Sequence, residues 1–527
     1  MQDRKQRDGR SLASTIGRNT LFGVLSNVVQ IGTRLVTVPF IIHHLGLGGY
    51  GIWNIIMMTA MYMRFGSVGV KTAFQKYVAE ATGNGDYEKA SRLLSTGCAV
   101  MFLISIAGLL PMVMFSRQIA VLSAIPSEFL TSAAGSISLL AVIMLMSNVG
   151  AVYEAIVMGG QRIDLARKYN TVFSILEAAA IVEILHLGYG LFAMAGVMGA
   201  SEFLFVTACY FASRRVLPEI HVSTRFVTSS VLYELFRFAG TYQLVNVLEV
   251  IYGWLIPFIV LRTFGPTSAG LFAVVTRIVT SATSLQNAFL SPILSGGAMV
   301  YAAGIRERMQ ALITKAFKVT LALSLFPLGF ICMFGPTLTY AWTGQSDPAF
   351  RSAFYLVCLR GLFGSFSILA LVLYRISGKA LLDNVRQLIR VMLIAVVGIY
   401  AARLGFDGVL AGLAFVELVG MIFMVYALTR TFHLFRAKSL LPDAARLSVA
   451  SVFILGAGTI ASLLPMPGVH DSRLSAVLRL AEICAACLAV TWPSLVGTGS
   501  ITPAERSALF GAFVPQSRRG QFVEVET

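Results

Sequence analysis

Residues 38–53 read VPFIIHHLGLGGYGIW, and the reading of this stretch decides the fold. Gly46, Gly48 and Gly51 fit G-x-G-x-x-G, the pattern of a dinucleotide-binding turn. That turn needs a strand before it, a helix of a soluble unit after it, and an acid about 20 residues on. Here both flanks are apolar blocks of membrane length, and no Asp or Glu occurs between Gly51 and Glu80. The glycines are therefore expected to make a tight turn between two membrane-spanning helices. His43 and His44 precede the turn, but His186, His221, His433 and His470 are scattered along the chain. An interfacial loop pair is expected there, with no metal and no cofactor.

Composition extends this reading outward. Of 527 residues, 57% are hydrophobic and 13% charged, with mean hydropathy +0.78. A soluble chain carries about 25% charged residues. Residues 19–42 hold one charge, Arg34, and residues 93–115 and 447–469 hold none. A bilayer needs about 20 apolar residues per helix, and lipid offers no partners for bare backbone groups. An all-α polytopic membrane protein follows. The start, MQDRKQRDGR, resembles a signal peptide, but the block after it is too long and lacks a small-x-small cleavage site. An uncleaved first span is expected. The six cysteines all fall in apolar blocks. Cys484 and Cys487 have CxxC spacing without a second ligand pair, so packing is the expected role.

Spans are expected near 19–42, 51–70, 93–115, 133–157, 170–187, 189–212, 238–261, 269–301, 319–340, 353–374, 388–402, 408–429, 447–464 and 476–496, fourteen in all. The eleventh is short, and the block at 269–301 is expected to end before residue 301. With the N-terminus cytoplasmic, the inner segments hold 30 lysines and arginines. The outer loops hold 5: Arg117, Arg262, Arg351, Arg403 and Arg473. One missed helix would invert every later loop, so this bias supports the count and places both termini in the cytoplasm. The same asymmetry accounts for the net charge of +16, with attraction to anionic lipid and no role for nucleic acid.

A shift of 219 positions aligns Asn27 with Asn246, Gln30 with Glu249, Gly46 with Gly265, Gly51 with Gly270 and Gly85 with Gly304. Pro39 and Pro257 are one residue out of step. The shift pairs span 1 with span 7, which predicts a parallel repeat. The expected organisation is a basic tail (1–18), an N-lobe (19–212), a cytoplasmic linker (213–237), a C-lobe (238–429), an appended helix pair (430–496) and a C-terminal tail (497–527).

A first span ending PFII, then LGLGGYGIW, a second span closing FGSVGV, and the segment KYVAEATGNGDYEKASRLLSTG together resemble the polysaccharide-transport flippases. These are a branch of the multidrug/oligosaccharidyl-lipid/polysaccharide exporter superfamily. The motifs cover residues 19–97. Beyond them the likeness rests on layout and on the short ISGK segment at 376–379. The resemblance implies a flippase of the bacterial inner membrane. It would move undecaprenyl-pyrophosphate-linked oligosaccharide repeat units by alternating access, for O-antigen, capsule or exopolysaccharide. Its partners would be the lipid-linked oligosaccharide, membrane lipids, and the polymerase and glycosyltransferases of the same pathway.

Polar residues within the spans are the candidate site. Asn27, Gln30, Thr33, Arg34 and Thr37 recur every three or four residues on one helical face. Span 7 repeats the stripe with Gln243, Asn246, Glu249 and Gly253. A water-filled cleft accepts such faces, and so do hydrogen bonds between helices. Arg34, Arg277 and Arg360 suit phosphate oxygens, whereas Arg64 and Arg390 are expected to snorkel to an interface. Intramembrane acids are Glu154, Glu177, Glu183, Glu202, Glu249 and Glu417. Glu249, Glu202 and Glu417 are candidates for proton or sodium coupling, or for neutralising the arginines. No G-x-x-x-x-G-K-[ST] is present, so ATP hydrolysis is not expected and the chain does not read as an enzyme. A multidrug or cation antiporter of the same superfamily and a lipid II flippase remain as alternatives. A membrane-embedded glycosyltransferase would need a large outer loop with catalytic acids, and every outer loop here is short.

Overall fold

A computed structural model describes the backbone of residues 2–61, 67–302, 304, 306–376, 381–431, 437–464, 472–503 and 505. Several side chains in this range lie outside the description, including those of 2–25, 27–28 and 229–246. Among the described residues the chain is helical, in the order α1 (Gln2–Met61), α2 (Ser67–Asn84), α3 (Tyr87–Met114), α4 (Ser116–Leu122), α5 (Ser127–Gly159), α6 (Ile163–His186), α7 (Leu191–Val216), α8 (Ser229–Ala302), α9 (Arg306–Thr343), α10 (Ala349–Ile376), α11 (Leu381–Ala401), α12 (Gly405–Thr431), α13 (Ala437–Leu463) and α14 (Arg473–Gly497). Ten stretches are long and apolar enough to cross a membrane by length and composition. Three of them, Val29–Ala60, Val247–Ser284 and Leu381–Arg430, are double, because each contains a glycine at positive φ: Gly46, Gly265 or Gly405. The remaining expected span is α6, whose charges lower its hydropathy. The protein is an all-α polytopic membrane protein.

The turns carry the internal repeat in their dihedral angles. Gly46 and Gly265 have φ 71° and 83°, with ψ 171° and 179°. Gly85 and Gly304, the same 219 positions apart, have φ 74° and 69°. Gly188 (83°) answers Gly405 (85°), and Ala124 (56°) answers Gly344 (76°) with a shift of one or two residues. Left-handed backbone is cheap only for glycine, so the residues that close these helix pairs recur along the chain.

Several boundaries differ from the sequence expectation. The turn after span 1 is a single residue, Gly46, and helix resumes at once. His43 and His44 are therefore helical, not a loop pair; His44 Nδ1 lies 2.9 Å from the Phe40 carbonyl. The block at 269–301 does not end early, since α8 runs to Ala302. Span 11 begins at Leu381 rather than near 388, because the polar run Asp383–Gln387 belongs to the helix.

Contacts divide the chain into two compact units, Met1–Val274 with Asp383–Gly412, and Val275–Leu382 with Leu413–Thr527. In the first, α5 packs against α2, α3 and α7. Phe74, Val78, Leu94, Val152 and Ile156 form one buried cluster there, and Asn148 donates to Ser105 Oγ at 2.8 Å between α5 and α3. Such a bond between membrane helices contributes about 0.6 kcal/mol. In the second unit α9 packs against α10, α13 and α14. Tyr374, fully buried, donates to the Met424 carbonyl at 2.8 Å, and Gln286 donates to Ser324 Oγ at 2.8 Å. Long apolar side chains such as Leu103, Met114, Phe203 and Val452 are exposed, as lipid-facing positions are.

Candidate functional site

The first unit holds a polar seam where α1, α6 and α7 meet. Gln30 on α1 donates to Asn170 Oδ1 on α6. One turn further along α1 stands Arg34, within electrostatic reach of Glu177 on α6. Glu177 also lies near Ser201 and Glu202 of α7. Two carboxylates and a guanidinium thus share one region, reached from three helices. Thr33 and Thr37 turn back onto their own helix, bonding the Gln30 and Arg34 carbonyls at 3.0 and 3.5 Å. The stripe on α1 therefore divides: Gln30 and Arg34 reach other helices, whereas the threonines do not. The side chains of Asn27, Gln243 and Asn246, and the whole of Arg64, lie outside the described residues.

The second unit pairs two candidates with each other. Arg360 Nε on α10 lies 3.8 Å from Glu417 Oε1 on α12. Glu417 is only 4% exposed. A buried carboxylate needs a compensating charge, so Arg360 and Glu417 act first on one another. Arg277 is exposed on α8 and has no carboxylate within ion-pair distance among the described residues. Glu249, on the first arm of α8, is exposed too.

Arg390 departs from the expectation of an interfacial charge. It does not snorkel. It is buried, donates to Gln387 Oε1 at 2.7 Å, and stacks 3.9 Å from the centroid of the Tyr252 ring. It belongs to a polar face of α11 comprising Asp383, Asn384, Arg386, Gln387 and Arg390, all buried. Arg386 and Asp383 form an ion pair at 2.8 Å. The opposite face, with Leu388, Met392, Val396 and Ile399, is exposed. The helix is amphipathic inside out, as a helix with lipid on one side must be. The signal was a 3.6-residue alternation hidden by averaging hydropathy over both faces.

The opening glycines bring two helices close in the first unit. Gly51 and Gly270 are repeat counterparts, and each stands against the backbone of the other's turn. A Cβ built on Gly51 would lie 2.5 Å from Gly270 N and 2.5 Å from Pro266 O. One built on Gly270 would collide with the Leu47 carbonyl. The residues after Gly46 and after Gly265 therefore close on each other with no side chain between them.

No family model matches the chain, and no curated protein matches it. Solved structures do. The chain is similar to an inward-facing multidrug resistance MATE family transporter of the MOP superfamily, with TM-score 0.64 and 16% identity over 78% of this chain and 94% of that one. It is similar to a MOP superfamily transporter from Pyrococcus furiosus, with TM-score 0.59 and 15% identity over 79% and 95%; reverse polarity of the binding pocket suggests a different function for that protein. An outward-facing multidrug resistance MATE family transporter matches with TM-score 0.55 and 16% identity over 80% and 96%. At these identities the likeness establishes the fold, that of MOP superfamily transporters.

Proposed function

We propose that the chain is a secondary transporter that moves cargo across the membrane by alternating access. Its moving parts would be the lobes 19–212 and 238–429 of the sequence repeat, with 430–496 as an appended pair. The observation that carries this reading is the backbone contact of Gly51 with Gly270. A side-chain-free contact between repeat-related turns is a junction able to close tightly and part without unpicking a packed core. Similarity to structures in both inward-facing and outward-facing conformations supports it. Transport would draw on an ion gradient, and the Arg34, Glu177 and Glu202 cluster is the best-placed coupling site, since two neighbouring carboxylates beside one guanidinium can take up a cation.

For the cargo, the solved neighbours support a multidrug or cation antiporter better than a lipid-linked oligosaccharide flippase. Pairing of Arg360 with Glu417 points the same way, because it removes one guanidinium from the set that would read a pyrophosphate. Flipping of an undecaprenyl-pyrophosphate-linked oligosaccharide in a bacterial inner membrane is the second reading. The exposed Arg277 and the motifs of residues 19–97 favour it. Deletion and complementation separate the two. Hypersensitivity to lipophilic cations after deletion supports the antiporter. Accumulation of lipid-linked repeat units on the inner leaflet supports the flippase, and neither phenotype removes both.

A further inference from the structure

Unit 2 contains a groove of two compartments that share one residue. The first, about 540 Å³, is lined by Thr337 and Tyr340 of α9, Tyr355 of α10, Ser462 of α13, and Ser475 and Arg479 of α14. The second, about 380 Å³, is lined chiefly by Leu325, Leu328, Cys332, Leu359, Val452 and Leu455, and also by Tyr355. The polar compartment adjoins the helix ends at Thr343 and Arg473, and the apolar one lies along the middle of α9, α10 and α13. From Tyr340 to Ser324 along α9 the groove runs about 24 Å at 1.5 Å per residue. A hydrophilic solute would face an apolar floor in the second compartment. A pure hydrocarbon would set the polar lining of the first against apolar atoms. An amphipath satisfies both, in the head-outward order of a membrane leaflet.

Arg479 specifies the head. Its Nη1 donates to the Ala461 carbonyl at 3.4 Å and to the Leu464 carbonyl, closing the end of α13, and stands 3.5 Å from Glu482 Oε2. All of these bonds use Nη1. The Nε and Nη2 edge has no partner among the described residues, and two parallel N–H donors are the geometry that phosphate oxygens take. Tyr355, half exposed, adds a hydroxyl where the compartments join.

We propose that this groove holds one anionic phospholipid of the phosphatidylglycerol class, with its phosphate on Arg479, its glycerol head among the tyrosine and serine hydroxyls, and an acyl chain beside Cys332. The lipid would fasten the helix pair α13 and α14 to α9. Its test does not depend on transport.

The test uses the full chain extracted in mild detergent and returned to nanodiscs of phosphatidylglycerol or phosphatidylcholine. Native mass spectrometry should find one retained phospholipid per chain, with phosphatidylglycerol preferred at least fivefold. Cys332→Phe, which fills the apolar compartment, should abolish retention. Arg479→Gln should retain lipid and lose the preference. A third measurement needs no substitution: phosphatidylglycerol should slow labelling of Cys332 by a membrane-permeant maleimide at least threefold, read by peptide mass. No retained phospholipid, equal retention after Cys332→Phe, or labelling indifferent to lipid would overturn the proposal, as would a dimer in which a second copy protects Cys332.

Discussion

Gly51 and Gly270 touch backbone to backbone, so that a Cβ on Gly51 would lie 2.5 Å from Gly270 N. Neither helix can yield without shifting its main chain. Gly51→Ala and Gly270→Ala are each expected to cost about 1–3 kcal/mol by overpacking, seen as lower melting temperatures in detergent. Gly32, with nothing within 4 Å of an added Cβ, is the control. Gly32→Ala should be neutral or slightly stabilising, since alanine favours helix. Equal melting of all three variants would show that the contact is not tight.

Arg360 and Glu417 should behave as one unit. Removing a single partner from a buried pair leaves a stranded charge and costs about 3–5 kcal/mol. Arg360→Leu is expected to destabilise strongly, and Arg360→Leu with Glu417→Leu to recover most of the loss. A double-mutant cycle by thermal unfolding measures the coupling. If Arg360 instead served cargo alone, Arg360→Leu would lose transport with unchanged melting, and the cycle would be additive.

These residues mark what sequence shows and what it hides. Gly46 and Gly265 were legible as turns, because a left-handed residue between two apolar blocks has few other causes. The pairing of Arg360 with Glu417 was not, because helix rotation decides which side chains meet and apolar blocks say little about rotation. The early start of α11 was hidden for a related reason. Asp383, Arg386 and Gln387 look like a cytoplasmic connection until their burial shows one polar face turned inward. Arg390 looked like an interfacial charge, and its Tyr252 partner lies on a helix distant in sequence. Of the polar stripe on span 1, the sequence located the face and could not tell Gln30, which reaches Asn170, from Thr33, which bonds its own helix.

Ala124 holds φ 56° where its repeat counterpart Gly344 holds 76°. A left-handed alanine costs roughly 1–2 kcal/mol, while glycine returns about 0.4–1 kcal/mol of that through the unfolded chain's entropy. Ala124→Gly should therefore raise the melting temperature slightly, and Gly344→Ala should lower it. A fall on Ala124→Gly would mean that the left-handed backbone there carries no strain.

The segment after α14 is tethered by Glu505, which accepts from Lys318 Nζ at 3.1 Å and from Thr502 N at 2.9 Å. Partial burial pushes the Glu505 carboxyl up, but the Thr502 bonds and the Lys318 ammonium outweigh it and hold it below the usual range. A depressed carboxyl contributes its stability above the ordinary glutamate value, about 4.3, and loses it as pH falls through the lower folded value. Protease access to residues 498–505 should be constant from about pH 8 to pH 5 and rise below about pH 4. Glu505→Gln should be accessible across that range. Cleavage of both proteins at equal rates at neutral pH would remove the tether.

On the proposed alternating-access reading, the turns at Gly51 and Gly270 part for cargo to cross. A Cβ on Gly48 would lie 3.3 Å from Pro266 Cβ, close to the separation a disulfide spans. Gly48→Cys with Pro266→Cys, reconstituted in proteoliposomes with an imposed proton or sodium gradient, tests it directly. Two cargoes are offered, a lipophilic organic cation and a fluorescent pyrophosphate-linked oligosaccharyl lipid. Gradient-driven movement of one of them is expected when the pair is reduced, with at least tenfold less when it is oxidised and recovery on reduction. Transport that continues unchanged with the pair oxidised, or a gradient that moves neither cargo, would contradict it.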